Sequence, residues 1–236
     1  MKTKINETKE EILARLMEQY ELSPGTLGEK DGYEWYDILN SAIYSLPENE
    51  FMLLLNLADD HTNSFWECYP DILWDIHSRY SLDTVIAAAN LARVSGYLVP
   101  MEGEAFPIMA AGWNEPELTR RLVEEVGVSV HSYCESDIIE ATGSMLSIAA
   151  RNGCVEICTY LLDKGASPNE SSLEDITSPL VEAVLNNQVK VARLLLERGA
   201  SLQDRFYYYE PFSPIDYARE NGHQDMVALL QSYAGQ

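Results

Sequence analysis

The chain has 236 residues, with 38 Asp and Glu against 16 Lys and Arg, and a formal net charge of −22. That balance excludes direct recognition of nucleic-acid phosphates, which requires a basic surface, and an anionic membrane would repel the chain as well. Hydrophobic residues make up 46% of the sequence and aromatic residues 10%, so the acid belongs to a folded protein rather than a solvated tail.

The first segment, MKTKINETKE, is polar and has no apolar core of the kind a secretory signal carries. No apolar run approaches the roughly 20 residues of a membrane span. In that setting Cys68, Cys134, Cys154 and Cys158 read as reduced thiols, and the expectation is a soluble cytoplasmic protein. Residues 1–104 are helical in pattern. Thr8 and Glu11 form a capping box ahead of Ile12, Leu13, Leu16, Met17 and Tyr20, which recur at helical spacing. Residues 22–32 are a turn-rich linker, further helical runs fall at 33–45, 49–58 and 82–98, and Ser64 with Glu67 repeats the capping box before Ile72, Leu73 and Ile76.

Within this region, Asp59-Asp60-His61 and Asp71, Asp75 and His77 are the candidates for acid–base or metal chemistry. Asp71 and Asp75 are four residues apart and share a helix face, but His77 points away from Asp75. Surface residues of an amphipathic helix account for them. Cys154 and Cys158 lack the second ligand pair a zinc site needs, and packing accounts for both. No glycine-rich phosphate loop or nucleophile elbow occurs. The sequence therefore points to no catalytic residue, cofactor or metal.

From about residue 105 the chain repeats itself. Residues 144–169 align without a gap on 178–203, pairing Ser144 with Ser178, Leu146 with Leu180, Ala149 with Ala183 and Gly165-Ala166 with Gly199-Ala200 at an offset of 34. A further copy begins at Ser213, 35 residues later, and an upstream copy begins near Phe106, 38 residues before Ser144. In that first copy Pro107, Ala111 and Gly127 fall in step, whereas Leu118 sits one place off. Ser144, Ser178 and Ser213 are positioned to cap the first helix of each copy, with Pro179 and Pro214 at the first helical position. Gly153, Asn187 and Gly222 stand where the chain reverses between helices. Each copy has an apolar stripe that one helix pair leaves half exposed and that stacking buries.

These copies resemble ankyrin repeats, whose period is about 33 residues and whose marker is T-P-L-H-x-A. Ser178-Pro179-Leu180 and Ser213-Pro214-Ile215 match that marker with Ser for Thr. The resemblance implies an all-α ankyrin-repeat solenoid with units at about 106–143, 144–177, 178–212 and 213–236. The N-terminal helical region, 1–104, is expected to cover one apolar end of the stack, the alternatives being a separate helical domain or repeats too degenerate to align.

It also implies hairpin-like fingers at about 128–143, 167–177 and 201–212 which, with the first helices, grip other proteins along a concave face. The residues expected to meet a partner are Trp113 at the first inter-helix turn, Glu135, Asp137 and Glu140, then Glu170, Glu174 and Asp175, then Tyr207, Tyr208, Tyr209 and Glu210. The carboxylates favour a basic protein partner, and tyrosine combines contact area with a polar tip. The functional expectation is non-enzymatic binding that inhibits a basic protein, such as a nuclease toxin met by an immunity protein or antitoxin. A scaffold that recruits without blocking is the second reading, and an enzyme with its site in the N-terminal helices is the third.

Overall fold

A computed structural model describes residues 8–22, 33–57, 72–94, 105–134, 143–170, 178–203, 206–207 and 211–234. They fall into two compact units, one within Met1–Val99 and one within Pro100–Gln236.

The first unit is helical: α1 Lys9–Tyr20, α2 Tyr33–Ser45, α3 Glu48–Leu57, α4 Ile72–Arg79 and α5 Leu82–Val94. The Thr8 capping box forms, with the Thr8 amide donating to Glu11 (2.9 Å) and the Glu11 amide to Thr8 Oγ1 (3.2 Å). Ser64 and Glu67 lie outside the described residues, as do Asp59, Asp60, His61 and Asp71. Leu16, Ile43, Phe51, Leu54, Ile72, Ile76 and Ala88 are buried.

Two polar groups close helix ends across this core. The Tyr80 hydroxyl donates toward the Ile43 and Leu46 carbonyls (2.9 and 3.1 Å) at the end of α2, while its ring stacks on Phe51 at 4.7 Å. Glu48 accepts from the Ser81 amide (2.9 Å), the Ser81 hydroxyl and the Thr84 hydroxyl (2.7 Å) at the start of α5. The Tyr80 hydroxyl as donor and the Glu48 carboxylate as acceptor thus satisfy helix-end carbonyls and an amide that the helices leave without partners.

The donors to Glu48, the Ser81 hydroxyl first and Thr84 next, hold its carboxyl below the ordinary value of 4.5. A depressed folded-state value stabilises fully above the unfolded value and loses that contribution as pH falls through the folded one. Glu48→Gln is therefore expected to lower stability at neutral pH, with the gap from wild type closing as pH falls below 4.5. Denaturant melts across pH check this; a gap constant with pH would contradict it.

The second unit is a stack of helix pairs: α6 Ala105–Gly112 with α7 Pro116–Arg121, α8 Met145–Arg151 with α9 Val155–Asp163, α10 Pro179–Leu185 with α11 Val189–Glu197, and α12 Pro214–Glu220 with α13 Gln224–Ala234. First helices pack on first helices and second on second, which makes two layers. The all-α solenoid read from the sequence is the observed fold, with two short antiparallel pairs added. β1 Tyr133–Cys134 pairs with β2 Gly143–Ser144, and β3 Phe206–Tyr207 pairs with β4 Pro211–Phe212.

All three serine caps form: Ser144, Ser178 and Ser213 accept from the amides of Ser147, Val181 and Asp216 at 3.1, 3.3 and 3.2 Å. The reversals between helices pass through Asn114, Gly153, Asn187 and Gly222, all left-handed, at φ 60, 74, 54 and 71°. Just before them a further asparagine recurs. Asn152, Asn186 and Asn221 each donate from Nδ2 to the carbonyl four residues back, on Ile148, Glu182 and Tyr217, at 3.1, 2.9 and 2.9 Å.

The register of the first copy needs a correction. Aligned on the turns, Trp113 matches Asn152, so the offset there is 39 and Ala110, not Ala111, matches Ala149. Leu118 is then in step: like Ile157, Val191 and Met226 it is the third residue of its helix and fully buried. The extra residue lies further on, where Leu122–Val126 winds as a π-helix and the Gly127 amide reaches back to Leu122 O. Widening the helical ring absorbs one insertion within one turn, and Gly127 closes the helix at φ 82°.

Phase then fixes which side chains meet between repeats. The last residue of a first helix meets the fourth residue of the next: Gly112 approaches Ile148, and Arg151 approaches Glu182. A Cβ on Gly112 would lie 2.7 Å from Ile148 Cγ2 and 2.7 Å from Asn152 Nδ2. Only glycine admits that approach.

Candidate partner-binding surface

The surface open to a partner is set by what the stack leaves exposed. On the inner layer little is left, because α8 is buried from Met145 to Ala150 and α10 from Pro179 to Val184. Even Glu182 is only 4% exposed. Arg151 holds its carboxylate with two parallel hydrogen bonds, Nε to Oε2 at 2.9 Å and a terminal nitrogen to Oε1 at 3.1 Å. The inner helices of the two middle repeats thus offer no free carboxylate. The expected grip by the first helices is confined there to their C-terminal ends, where Arg151 and Leu185 are half-buried.

On the outer layer ion pairs stitch the second helices together. Lys164 meets Glu124 at 2.9 Å, Arg198 meets Asp163 at 2.8 Å, and Arg120 lies near Glu117 (2.7 Å) and Glu156 (3.8 Å). The Tyr160 hydroxyl donates to Glu124 at 3.3 Å, beneath Arg120 and Lys164 at 5.7 and 5.5 Å from the ring centre. Burial, followed by the Glu124 charge, pushes that phenol up to about 12. Exposed pairs of this kind each contribute about 0–1 kcal/mol. Their larger effect is to occupy the cations.

The fingers differ. The first is rooted in the β1–β2 pair, in which Tyr133 faces Ser144, so the residue that caps α8 also closes the hairpin. The third is rooted in the β3–β4 pair, which places the Tyr207 backbone opposite Pro211. Glu135, Asp137, Glu140, Glu174, Asp175, Tyr208, Tyr209 and Glu210 lie outside the described residues. Trp113 is half-buried, its ring edge-on to Phe106 at 5.7 Å. It occupies the turn position that Asn152, Asn186 and Asn221 fill in the other copies. Glu170 is held by its surroundings: Oε1 accepts from the Ser167 amide (3.0 Å) and lies 2.7 Å from His131 Nδ1.

Groups considered for chemistry have structural settings. Asp75 and His77 are two residues apart on α4 and face different ways, and Asp75 hydrogen-bonds the Tyr44 hydroxyl. Cys154 and Cys158 are buried free thiols, with Cys154 Sγ directed at Gly112 O (3.7 Å). Burial, then the neighbouring Cys154, pushes Cys158 up to about 12, which leaves it a poor nucleophile and metal ligand. Among the described residues no group of three or more His, Cys, Asp or Glu could hold a metal ion, and no helix is long and apolar enough to cross a membrane.

Sequence reasoning missed Arg151 and Glu182, the pairing of His131 with Glu170, and the recurrence of Asn152 and Asn186 at the place Asn221 holds. Only the asparagines leave a sequence signal, at the repeat spacing itself. Tyr44 and Val155 are the large apolar side chains that stand exposed among the described residues, and they belong to different units.

Residues 107–206 match the family model for ankyrin repeats in three copies. A putative ankyrin repeat protein of Rickettsia felis is 36% identical over 97 residues, 41% of each chain. A B-cell lymphoma 3 protein homolog of Mus musculus is 36% identical over 62 residues, 26% of this chain and 14% of that one. A putative ankyrin repeat protein of fowlpox virus is 32% identical over 84 residues, 33% of this chain and 12% of that one. The matches thus span less than half of each of these relatives.

Proposed function

Because the second half of this chain is an array of ankyrin repeats, we propose that it acts by binding another protein, and that this partner is basic. The observation that carries the reading is the partition of charge. Besides Glu170, which His131 and the Ser167 amide hold, residues 128–143, 167–177 and 201–212 have seven acidic residues, Glu135, Asp137, Glu140, Glu174, Asp175, Asp204 and Glu210, against a single Lys or Arg, Arg205. Six of the other cations in this half, Arg120, Arg121, Arg151, Lys164, Arg198 and Arg219, are engaged in ion pairs with carboxylates of the helices. The uncompensated acid therefore concentrates on the fingers.

The mechanism is steering followed by occlusion. A field from −22 charges raises the encounter rate with a positive surface, and short-range contacts, Tyr207 to Tyr209 among them, set the lifetime. A protein whose own basic surface serves nucleic acid, a toxin for instance, is the class that fits, and covering that surface inhibits it. No catalytic role is assigned to the chain. The buried thiols of Cys154 and Cys158 are consistent with action in a reducing, cytoplasmic setting.

Association kinetics test the charge term directly. The association rate with the principal partner is expected to fall about tenfold or more between low and high salt, with dissociation changing much less. An acidic partner, or a rate indifferent to salt, overturns the reading. A partner whose activity survives in the complex would mark recruitment instead of inhibition.

A further inference from the structure

The fingers rise from turns of one construction. In the first, the His131 amide donates to Ser129 Oγ (3.1 Å); in the second, Asn169 donates to Ser167 Oγ (3.2 Å); in the third, Gln203 donates to Ser201 Oγ (3.1 Å). His131, Asn169 and Gln203 are thus equivalent, each two residues after the serine. Two of them reach into the next repeat. Asn169 donates from Nδ2 to Gly199 O (3.0 Å) and accepts on Oδ1 from the Ser201 amide (2.7 Å). His131 Nδ1 lies 2.7 Å from Glu170 Oε1, which also accepts from the Ser167 amide.

We propose that His131–Glu170 and Asn169–Ser201 are consecutive staples that hold the three finger bases at a fixed spacing, and that Glu170 is a positioning residue of the binding surface rather than a contact to the partner. This rests on the proposed acidic surface for its functional part, while the staple itself stands on geometry alone. The Glu170 side chain is 21% exposed and His131 61%, so the carboxylate lies beneath the imidazole and against its own turn. The group that meets solvent at this staple is the imidazole. A partner read by the fingers therefore meets the remaining finger carboxylates on bases whose separation is set beforehand, which lowers the ordering cost of binding.

The role Glu170 plays is separable from its charge. A glutamine keeps an Oε1 that accepts from Ser167 and His131, whereas alanine removes the acceptor. Amide hydrogen exchange on the full chain is the first readout. Glu170→Ala is expected to raise exchange at Ser132, in the neighbouring turn, and His131→Ala at Ser167 and Glu170, each by about fivefold, the factor one net hydrogen bond supplies. Glu170→Gln should stay within about twofold of wild type.

Binding of an oligolysine peptide at two salt concentrations is the second. Glu170→Gln should bind like wild type with an unchanged salt slope, while the Glu135, Asp137 and Glu140 triple glutamine variant lowers the slope. If Glu170→Gln loosens the turns as alanine does, or if no variant changes exchange across the repeat boundary, the staple is refuted. If Glu170→Gln keeps the turns closed yet flattens the salt slope, Glu170 is a contact and the positioning role is refuted. If oligolysine fails to bind wild type while the exchange pattern holds, the acidic reading falls and the staple stands.

Discussion

Replacing Arg151 by alanine is expected to destabilise the repeat unit by about 2–3 kcal/mol, several times the effect of losing an exposed ion pair. The reason is the partner left behind. Glu182 is nearly sealed, with 5% of its side chain exposed against 30% for Arg151, so removal of the guanidinium strands a carboxylate where water cannot reach it. Breaking a fully buried pair costs roughly 3–5 kcal/mol, and the partial exposure of Arg151 lowers that figure.

The cost should vanish when both charges go. Arg151→Met with Glu182→Leu is expected to lie within about 1 kcal/mol of wild type, since an apolar pair of similar volume requires no desolvation of charge. Denaturant unfolding of the single and double variants measures the coupling. A loss under about 0.5 kcal/mol for Arg151→Ala, the range of a surface pair, would show that Glu182 finds solvent.

Gly112→Val is expected to cost about 2–4 kcal/mol, although glycine is a poor helix residue. Its first added carbon would stand 2.7 Å from Ile148 Cγ2, and Ile148 is a buried β-branched side chain with little rotamer freedom. Alanine at the same place should cost about 1–2 kcal/mol, the helix preference of alanine offsetting part of the clash. Removing the obstacle distinguishes sterics from other causes. Combined with Ile148→Ala, Gly112→Val should be less damaging than the sum of the two singles, and strict additivity would rule out the contact as the source.

Arg151 and Gly112 also mark where sequence reading stops. The serine caps, the proline starts and the left-handed turn residues were legible because each acts within four or five residues of itself, through backbone groups any helix leaves unpaired. The turn asparagines act at the same short range and recur at the same spacing. Asn221 stands out in the Asn221-Gly222-His223 turn, but the recurrence at Asn152 and Asn186 is hidden when the copies are aligned on serine, leucine, alanine and glycine. Contacts between repeats are another matter. Arg151 and Glu182 are 31 residues apart, and their meeting depends on the last place of one helix facing the fourth place of the next. That relation emerges once the helices are phased.

The same limit applied in the N-terminal unit, where Glu48 serves an amide 33 residues away and nothing in either segment announces the other. For the binding surface, composition located the acid on the fingers but overestimated the inner helices, because burial of Met145 to Ala150 and Pro179 to Val184 is a property of the stack. Glu170 looked like a free carboxylate for the same reason: its imidazole partner sits on another finger.

The π-turn at Leu122–Val126 has an implication for how such arrays tolerate change. One residue more separates Asn114 from Gly127 than separates Gly153 from Gly165, yet Leu118 ahead of it and Val128 after it are both buried. The wound segment acts as an expansion joint, taking up a length difference so that neither the inter-helix turn nor the finger base is displaced. Insertions of a single residue in second helices are thereby made survivable. Lineages of such proteins can drift in unit length while their stacking stays in phase, and a search for strict periodicity will undercount their units.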